Sequence, residues 1–367
     1  MSRLGHMFAW SVNRARADWL LYVLVLCYTL GGLALMSATG TMGLAAFKPY
    51  VSKWINLFFF IFPVSAILID SIRVVHRIDA RRRLGLLYAF SPMRLAYMVS
   101  GTALLLWLFL FQGTFTSVKN AMFAWNGAFR YDRIHADIDK FLHFGIDPWR
   151  IVEPLVANDT LRWITEFNYN AIYFSLSFGT LYFVATSPRA EKVRAHYIAC
   201  FVLAWIVIGN LLAGLFLSAG PAFYGHVTGD TARFAELLDY LARSEGAHAA
   251  SGYQAYLWKL HEGGNSGFAS GISAFPSVHV SLSVLNMFFA YEVSRRLGYA
   301  MTAYAFFIFL SSVALGWHYA IDGYASVAVV AALYFGLKRP LRGSRFRTRP
   351  AAAGAGKASA ARPSYAT

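Results

Sequence analysis

Two short stretches in the last third of the chain contain the residues best suited to chemistry. The first, FPSVH, ends in His279, and the second, HYAID, begins with His318 and ends with Asp322. His318 and Asp322 are four residues apart, so on a helix they share one face and can touch. Asp322 can accept the Nδ1–H of His318, which leaves Nε2 free to attack phosphorus and form a phosphohistidine. A purely structural hydrogen bond is the alternative interpretation of this pair.

The sequence around His279 predicts the start of a helix that could hold an anion. Pro276 suits the first helical position because its missing N–H costs nothing there, and it places Ser277 and His279 in the first turn. Free N–H groups and the positive end of the helix dipole favour a phosphoryl group at such a place. A protonated His279 can give its proton to a leaving alkoxide. We therefore predict that His279, His318 and Asp322 are catalytic and that Ser277 binds substrate.

These stretches resemble the second and third motifs of the type 2 phosphatidic acid phosphatase superfamily. The resemblance implies that His318 is the nucleophile, that Asp322 orients it and that His279 is the general acid. Its strong part covers roughly residues 270–330. The surrounding chain fits the six-helix membrane core that the resemblance implies.

The departures from the common pattern resemble one branch of that superfamily. Val278 stands where the common branch has Gly, Ser312 stands where it has Arg six residues before the nucleophile, and the usual first motif is absent. The inositol phosphorylceramide synthase branch and its bacterial relatives, which transfer phospho-headgroups between lipids, share all three differences. SAGPAFY at 218–224 also resembles a segment of that branch. The resemblance therefore implies headgroup transfer slightly ahead of hydrolysis.

A transferred phosphate needs fixed positive charge, and the two motifs supply none. The predicted outer side of the membrane offers Lys119, Arg233, Lys259 and His261. We predict that Lys119, just past the third span, and Arg233, on an amphipathic outer helix, bind the substrate.

The elements that must position these residues are membrane spans. The chain has 367 residues, 57% hydrophobic and 14% charged, a composition typical of a polytopic membrane protein. Each crossing needs about 20 apolar residues. Eight runs meet this need, at roughly 19–39, 54–70, 95–115, 168–186, 197–217, 277–293, 299–316 and 320–337. We predict an all-α integral membrane protein with about eight transmembrane helices, six forming a phosphatase-type core and two added in front.

The chain divides into three predicted regions. Residues 1–94 form a two-helix membrane region with a basic cytoplasmic loop, 95–338 a six-helix catalytic membrane domain, and 339–367 a disordered basic cytoplasmic tail. Two long outer loops carry amphipathic patterns, at 130–156 and 230–243. Both patterns predict interfacial helices that either roof the site and admit a lipid from the side or merely seal the bundle.

The distribution of charge predicts the orientation in the membrane. With both termini cytoplasmic, the inner segments hold 22 of the 33 Lys and Arg residues, as the positive-inside rule requires. The high positive charge is therefore read as a topology signal that also contacts anionic lipid, and no nucleic acid partner is predicted. This orientation places His279 and His318 at the extracytoplasmic face, in what we expect to be a bacterial plasma membrane.

Three alternative functions remain open. His279, His318, His261 and Asp322 could ligate zinc, but with one HxxxD pair, no HExxH and no cysteine ligands we predict no metal and no cofactor. The outer-loop residues Asp132, Asp137 and Asp139 could instead serve a lipid-linked glycosyltransferase. A non-enzymatic transporter or scaffold is the third possibility.

The favoured prediction is a metal-independent lipid phosphotransferase or lipid phosphatase that uses a phosphohistidine intermediate. Its expected partner is a membrane lipid, either a phospholipid, a sphingolipid or a polyprenyl phosphate, with a possible alcohol acceptor such as inositol. Hydrolysis and transfer differ only in whether water or an alcohol attacks the phosphohistidine.

Overall fold

The computed structural model describes residues 3–77, 91–244 and 248–342, together with the single residues 85, 87 and 246. The regular elements in these ranges are helices, which confirms the predicted all-α class. In the first half of the chain they are α1 (Arg3–Ala17), α2 (Trp19–Ala38), α3 (Lys48–Ile55), α4 (Phe62–Arg77), α5 (Pro92–Asn126), α6 (Asp132–Leu142), α7 (Pro148–Val152), α8 (Asp159–Phe167) and α9 (Tyr173–Thr186). In the second half they are α10 (Arg194–Ile206), α11 (Ala213–Leu215), α12 (Tyr224–Thr228), α13 (Ala235–Ala242), α14 (Ala250–Glu262), α15 (Val278–Val293), α16 (Arg295–Ala314) and α17 (Ala320–Arg342).

Six helical stretches in the described chain are long and apolar enough to cross a membrane. They are Trp19–Ala38, Met42–Ile72, Pro92–Asn126, Arg194–Leu215, Arg295–Ala314 and Ala320–Arg342. Each overlaps a predicted span, which supports an integral membrane protein. The predicted span at 277–293 is α15, with only 16 residues, and the one at 168–186 is rich in Asn, Ser, Thr and Tyr, which lower its hydropathy. The count of eight therefore stays a prediction.

Three long helices contain a π-helical segment where α-helix was expected. Asn56–Ile61 joins α3 to α4, Asn168–Ile172 joins α8 to α9, and Val207–Leu212 joins α10 to α11. A π-turn takes one residue more than an α-turn, so the side chains after it are rotated around the helix axis. The apolar pattern of these helices consequently changes phase at each segment.

Helix α5 is the longest element, with 35 residues, and its ends follow from its sequence. Ser91 caps the start by accepting a hydrogen bond from the Arg94 N–H at 3.3 Å, and Pro92 occupies the first position. These are the residue types that favour a helix N-terminus. The helix ends at Gly127, which takes a φ of 72° that residues with a side chain rarely adopt.

The N-terminal helices pack against α5 through aromatic side chains that also hydrogen-bond to the backbone. The Trp54 indole donates to the Leu105 carbonyl at 2.8 Å, and the Trp107 indole donates to the Tyr22 carbonyl at 3.0 Å. Each indole thereby buries its ring while its polar N–H keeps a partner. The described helices of the predicted region 1–94 are thus attached to the long helix of the core.

The bundle has two chemically different ends. At one end, which we call the histidine end, α15 begins and α16 connects to α17, with α6 and α12 to α14 nearby. At the other, the arginine end, α10 and α16 begin and α17 finishes. There Asp18 is buried between Arg14 and Arg194, while Glu292 pairs with Arg342 at 3.0 Å. Buried charges need such partners because an isolated charge in the interior is costly.

The two amphipathic segments contain helices, α6 and α13, with a break at GIDPW between α6 and α7, and their interfacial location stays a prediction. Their orientations differ. In α6 the polar residues Asp132, His135 and Asp139 are buried, whereas in α13 the buried residues are Leu237 and Leu241. The same amphipathic pattern therefore buries polar residues in α6 and apolar residues in α13.

The predicted disordered tail 339–367 is described only as far as Arg342. Residues 339–342 belong to α17, which continues through Pro340. The rest of this prediction, and most of the predicted basic loop at 77–83, lies outside the described residues.

Candidate active site

His318 lies in the turn between α16 and α17, not on a helix, which corrects the sequence prediction. The turn forms because Gly316 takes a φ of 70° and because the N–H groups of Trp317 and His318 both donate to the Ser312 carbonyl, at 3.0 and 3.1 Å. Helix α17 starts two residues later, at Ala320. The His318 ring therefore approaches α17 from beyond its N-terminus.

Asp322 lies in the first turn of α17 and holds both the ring and the backbone of the preceding turn. Its Oδ2 atom lies 3.1 Å from Nδ1 of His318 and accepts the N–H of Tyr319 at 3.0 Å. Asp322 is fully buried, and His318 is only 8% exposed. The predicted side-chain contact is present, and it directs Nε2 of His318 away from the carboxylate.

The environment of His318 keeps its ring neutral. Burial lowers the pKa of His318 to about 3, and the charge of Lys119 acts in the same direction, while a hydrogen bond to the backbone of Ala274 opposes both. A neutral imidazole keeps a nitrogen lone pair, which a nucleophile needs.

Helix α15 begins at Val278 with Ser277 as its cap, so Pro276 precedes the cap instead of occupying the first helical position. The Ser277 hydroxyl accepts the Val280 N–H at 3.4 Å and is fully buried. Its backbone N–H donates to the Asp322 carbonyl at 3.4 Å. These bonds fasten the start of α15 to the first turn of α17.

His279 packs against two neighbouring tyrosine rings that the sequence analysis did not identify. Its ring stacks on Tyr169 and Tyr173, with centroid distances of 4.4 and 4.3 Å and interplanar angles of 11° and 29°. In the sequence only their spacing of four residues marks these tyrosines as a pair, which is a weak signal. Both lie where the π-helical segment meets α9. Stacking against the two rings fixes the plane of the imidazole.

Lys119 reaches the same place from α5. It interacts electrostatically with the rings of both His279 and His318, and no charged partner offsets it among the described residues. Its stem lies against Gly271, where an added Cβ would be 2.9 Å from the Lys119 Cγ. Gly271 takes a φ of 88°, so the loop can pass close over the lysine. A partly buried cation without a counter-ion is a site for an anion.

Arg233, the second predicted cation, is engaged elsewhere. Its guanidinium pairs with Asp137 at 2.6 Å and with Asp147 at 2.8 Å, and it donates to the Ala136 carbonyl at 2.7 Å. These contacts join the segment before α13 to α6. Unlike Lys119, Arg233 has its charge matched by carboxylates, and its predicted role in substrate binding stays a prediction.

The buried polar face of α6 holds the loops of the histidine end together. Asp132 accepts the N–H groups of Ala219 and Gly220 and the hydroxyl of Tyr319, each at 2.8 Å. Asp139 accepts the first N–H groups of α17, from Ala320 at 2.6 Å and Ile321 at 2.8 Å. Carboxylates at a helix N-terminus are stabilising. The acidic face of α6 thus positions the chain around His318.

His135, on the same face of α6, extends this framework to the segment before His279. Its Nδ1 lies 3.2 Å from the Ser218 hydroxyl, which accepts the Phe275 N–H at 3.3 Å. Burial lowers the pKa of His135 to about 4, so the ring is neutral. Ser218 also accepts the Ala274 N–H on its carbonyl at 2.8 Å. Ala274 is the residue whose backbone contacts the His318 ring.

The zinc alternative can be compared with the geometry. In the ranges that the structure describes, no group of three or more His, Cys, Asp or Glu side chains is placed to hold a metal ion. His261, one of the four residues considered for zinc, lies in a cavity bordered by Lys119.

Comparison with known proteins gives one match. A family model described as PAP2 superfamily matches residues 134–336, more than half of the chain. The matched region contains His279, His318 and Asp322, whereas Lys119 lies before it. No curated protein and no solved structure matches the chain.

Proposed function

This chain belongs to the PAP2 superfamily, and from that membership we propose that it is a membrane phosphotransferase or phosphatase acting on a lipid phosphate or phospho-headgroup. The reaction passes through a phosphohistidine at the extracytoplasmic face. Superfamily membership supports a phosphatase-type enzyme for phosphate esters. The lipid substrate and the phosphohistidine intermediate are proposed from the residues of the histidine end.

One observation carries the proposal. The Nδ1 atom of His318 lies 3.1 Å from the Asp322 carboxylate, and the helix that begins beside His279 is hydrogen-bonded to the same turn of α17. An oriented nucleophile and a separate proton donor are thereby fastened to one framework, as two-step phosphoryl transfer requires.

The proposed chemistry has two steps. In the first, Nε2 of His318 forms a bond to phosphorus, the bond from phosphorus to the lipid alkoxide breaks, and His279 gives its proton to that alkoxide. In the second, water or an alcohol attacks phosphorus, its proton passes to His279, and the bond between phosphorus and nitrogen breaks. Asp322 holds the His318 ring and stabilises the charge that the ring acquires.

Two further residues have proposed roles beside these three. Lys119 faces the phosphoryl oxygens, where its unmatched charge stabilises the negative charge of the transition state. Ser277 acts through the helix that it caps, because its hydroxyl accepts the Val280 N–H. This fixes the first turn of α15 and hence the direction of His279.

We favour transfer of a headgroup over hydrolysis, because the sequence resembles the inositol phosphorylceramide synthase branch. The position of Ser312 supports this choice. Ser312 is buried, its carbonyl accepts two N–H groups of the His318 turn, and its hydroxyl donates to the Phe309 carbonyl at 2.7 Å. A buried serine thus stands in the turn that holds His318, where the common branch has an arginine. The expected substrate is a phospholipid, a sphingolipid or a polyprenyl phosphate.

The glycosyltransferase alternative loses its motivation, because its three aspartates have other partners. Asp132 and Asp139 bind backbone N–H groups, and Asp137 pairs with Arg233. Catalytic carboxylates of a transferase would need to face the substrate.

The test uses purified full-length protein in detergent with a chelator present. His318→Ala should lower phosphate or headgroup release by roughly 10³-fold or more and abolish labelling of the protein by a radioactive phosphoryl donor. His143→Ala is the matched control, since His143 lies near the same end and, within the described ranges, hydrogen-bonds to Tyr324 and to the Asp139 carbonyl of its own helix. Retained turnover in His318→Ala, or turnover that needs added metal, would reject the proposal.

The role of His279 has its own readout. His279→Ala should lower turnover of a lipid phosphate by about 10²–10⁴-fold, but should have a much smaller effect with p-nitrophenyl phosphate, whose leaving group needs no proton. An equal loss on both substrates would contradict the assignment of His279 as general acid.

A further inference from the structure

A cavity of about 150 Å³ lies beside the proposed active site, between the end of α5, helix α14 and the loop after it. Lys119 and Asn120 line one wall, and Phe123 and His261 line another. A cavity of this volume holds a molecule the size of a six-membered ring. The reaction outlined above does not use this space.

Lys119 connects the cavity with the histidines. Its side chain lines the cavity, and its charge interacts with the rings of His279 and His318. The cavity also borders Gly271 and Ile272. The same segment continues to Ala274, whose backbone contacts the His318 ring. A phosphoryl group bound between Lys119 and His318 would therefore have a neighbouring substituent directed towards the cavity.

His261 is a half-buried polar side chain of the cavity lining that can meet such a substituent, whereas Asn265, which also lines the cavity, is exposed. Its ring packs edge-on against Phe123 at 4.5 Å and lies 5.2 Å from Trp258. Within the described part of the chain its ring nitrogens have ring neighbours but no hydrogen-bond partner. Burial lowers the pKa of His261, and a neutral imidazole has one donor and one acceptor nitrogen. This matches the donor and acceptor character of a hydroxyl group.

Asn120 differs from His261 in this respect. Its amide donates to the Leu44 carbonyl at 3.2 Å and accepts from the Ser270 hydroxyl at 2.9 Å. Asn120 therefore forms a fixed part of the wall, whereas His261 can change its partner without breaking a hydrogen bond.

We propose that this cavity is the subsite for a small hydroxylated group, no larger than a polyol ring, and that His261 determines specificity by hydrogen-bonding to it. The inference rests on the proposed function, because the phosphorus is assumed to lie at Lys119. The group has two possible sources. It is either the headgroup that stays attached to phosphorus while the lipid alkoxide leaves, or the alcohol that attacks phosphorus in the second step. In both cases the bonds and protons change as described above, and His261 takes no part in them.

A binding experiment tests the subsite without turnover. Full-length protein in detergent is titrated calorimetrically with inositol 1-phosphate and with inorganic phosphate. The wild type should bind the ester more tightly, and His261→Ala should lose about tenfold in affinity for the ester alone, as expected for one hydrogen bond lost. His261→Gln, which keeps a donor and an acceptor, should retain most of the affinity.

His226→Ala is the matched control. The His226 ring stacks 4.3 Å from the ring of Trp258, which is also a neighbour of His261, but His226 does not line the cavity. It should leave both affinities within about twofold, as a substitution away from the bound group does. The subsite is overturned if the wild type binds both ligands equally, if the two alanine variants behave alike, or if His261→Ala weakens both ligands to the same extent.

Turnover then separates the two sources. With phosphatidylinositol and phosphatidic acid as donors, a loss of kcat/KM in His261→Ala that is confined to phosphatidylinositol identifies the headgroup on phosphorus. A loss confined to inositol-dependent release from phosphatidic acid identifies the acceptor. If wild-type turnover with both donors is intact and neither loss occurs, the subsite is wrong. A wild type that binds the ester through His261 but turns over no lipid phosphate would refute the proposed function and leave the subsite standing.

Discussion

Helices α6 and α13 carry the same kind of amphipathic pattern and use it in opposite ways. In α6 the apolar residues face outwards, with Phe141 81% exposed, and the polar residues Asp132, His135 and Asp139 are buried. In α13 the apolar residues face inwards, with Leu241 fully buried, and Asp239 is exposed. Arg233 joins the two helices through Asp137, so they are neighbours on the same end of the bundle.

The difference follows from the groups that lie beneath each helix. Helix α6 lies over loops whose backbone N–H groups need acceptors, and its carboxylates supply them. Its apolar face can then be covered by lipid, as in an interfacial helix. Helix α13 lies over apolar side chains and turns its polar face outwards. Periodicity therefore predicts that a helix has two faces, but the neighbouring chain decides which face is buried.

The largest effect is expected at Asp132, on the buried face of α6. Asp132→Ala removes the acceptor of three hydrogen bonds and strands the buried N–H groups of Ala219 and Gly220. We expect a loss of about 3–5 kcal/mol in the free energy of unfolding and about 10²-fold in kcat. Denaturant unfolding and turnover measure these. Asp137→Ala, on the exposed face of the same helix, should change stability by less than about 1 kcal/mol.

If Asp132→Ala were as stable and active as the wild type, the buried face of α6 would have no positioning role.

The next largest change in stability is expected when the apolar faces of α13 and α6 are truncated. Leu241→Ala opens a cavity in the core beneath α13 and should destabilise the protein by about 2–5 kcal/mol, with kcat of the folded fraction unchanged. Phe141→Ala removes a side chain that is 81% exposed and should change stability in detergent by less than about 0.5 kcal/mol. Denaturant titration of both variants in one detergent measures the difference. Equal losses would mean that both faces are buried in the protein.

The smallest effect is expected at Asp139, and it depends on pH. Burial raises the pKa of Asp139 to about 6. As the pH falls through this value one oxygen gains a proton and accepts more weakly, so the start of α17 loosens around Asp322. We expect kcat to fall on the acid side of about pH 6, and Asp139→Asn to show about tenfold lower kcat without this acid limb.

The sign of the stability change distinguishes this effect from unfolding. The folded pKa of Asp139 lies above the unfolded value of about 3.9, so the folded state binds the proton first. The group therefore stabilises the fold as the pH falls from about 6 to about 4. A parallel loss of kcat and of thermal stability over that range in the wild type, absent in Asp139→Asn, would contradict the explanation.

Much of the fold could be read from the sequence, because long apolar runs have few alternatives to helices. The contact between His318 and Asp322 was also predictable, although from the wrong premise. A spacing of four suggests a helical face, yet the pair meets because Gly316 ends the helix and Asp322 caps the next one. Positive φ at a glycine is invisible to a periodicity argument.

Other parts of the site could not be predicted, since they depend on contacts between distant segments. Tyr169 and Tyr173 meet His279 only because the chain has a π-helical segment before α9. The role of α6 depends on loops far away in the sequence. From the sequence, Lys119 and Arg233 were equally good candidates for binding the substrate phosphate. Only the carboxylates around Arg233 distinguish the two.

The buried Asp18 makes the rest of the bundle depend on the N-terminal helices. Its carboxylate is the partner of Arg194, which is fully enclosed at the start of α10 and otherwise donates to the Ala185 carbonyl at 3.0 Å. Without α1 and α2, the Arg194 guanidinium would be left in the interior without the Asp18 carboxylate, at a cost of several kcal/mol. Asp18, at the junction of α1 and α2, thus acts as an internal counter-ion for the helices from α10 onwards, and a version lacking α1 and α2 needs a neutral side chain in place of Arg194.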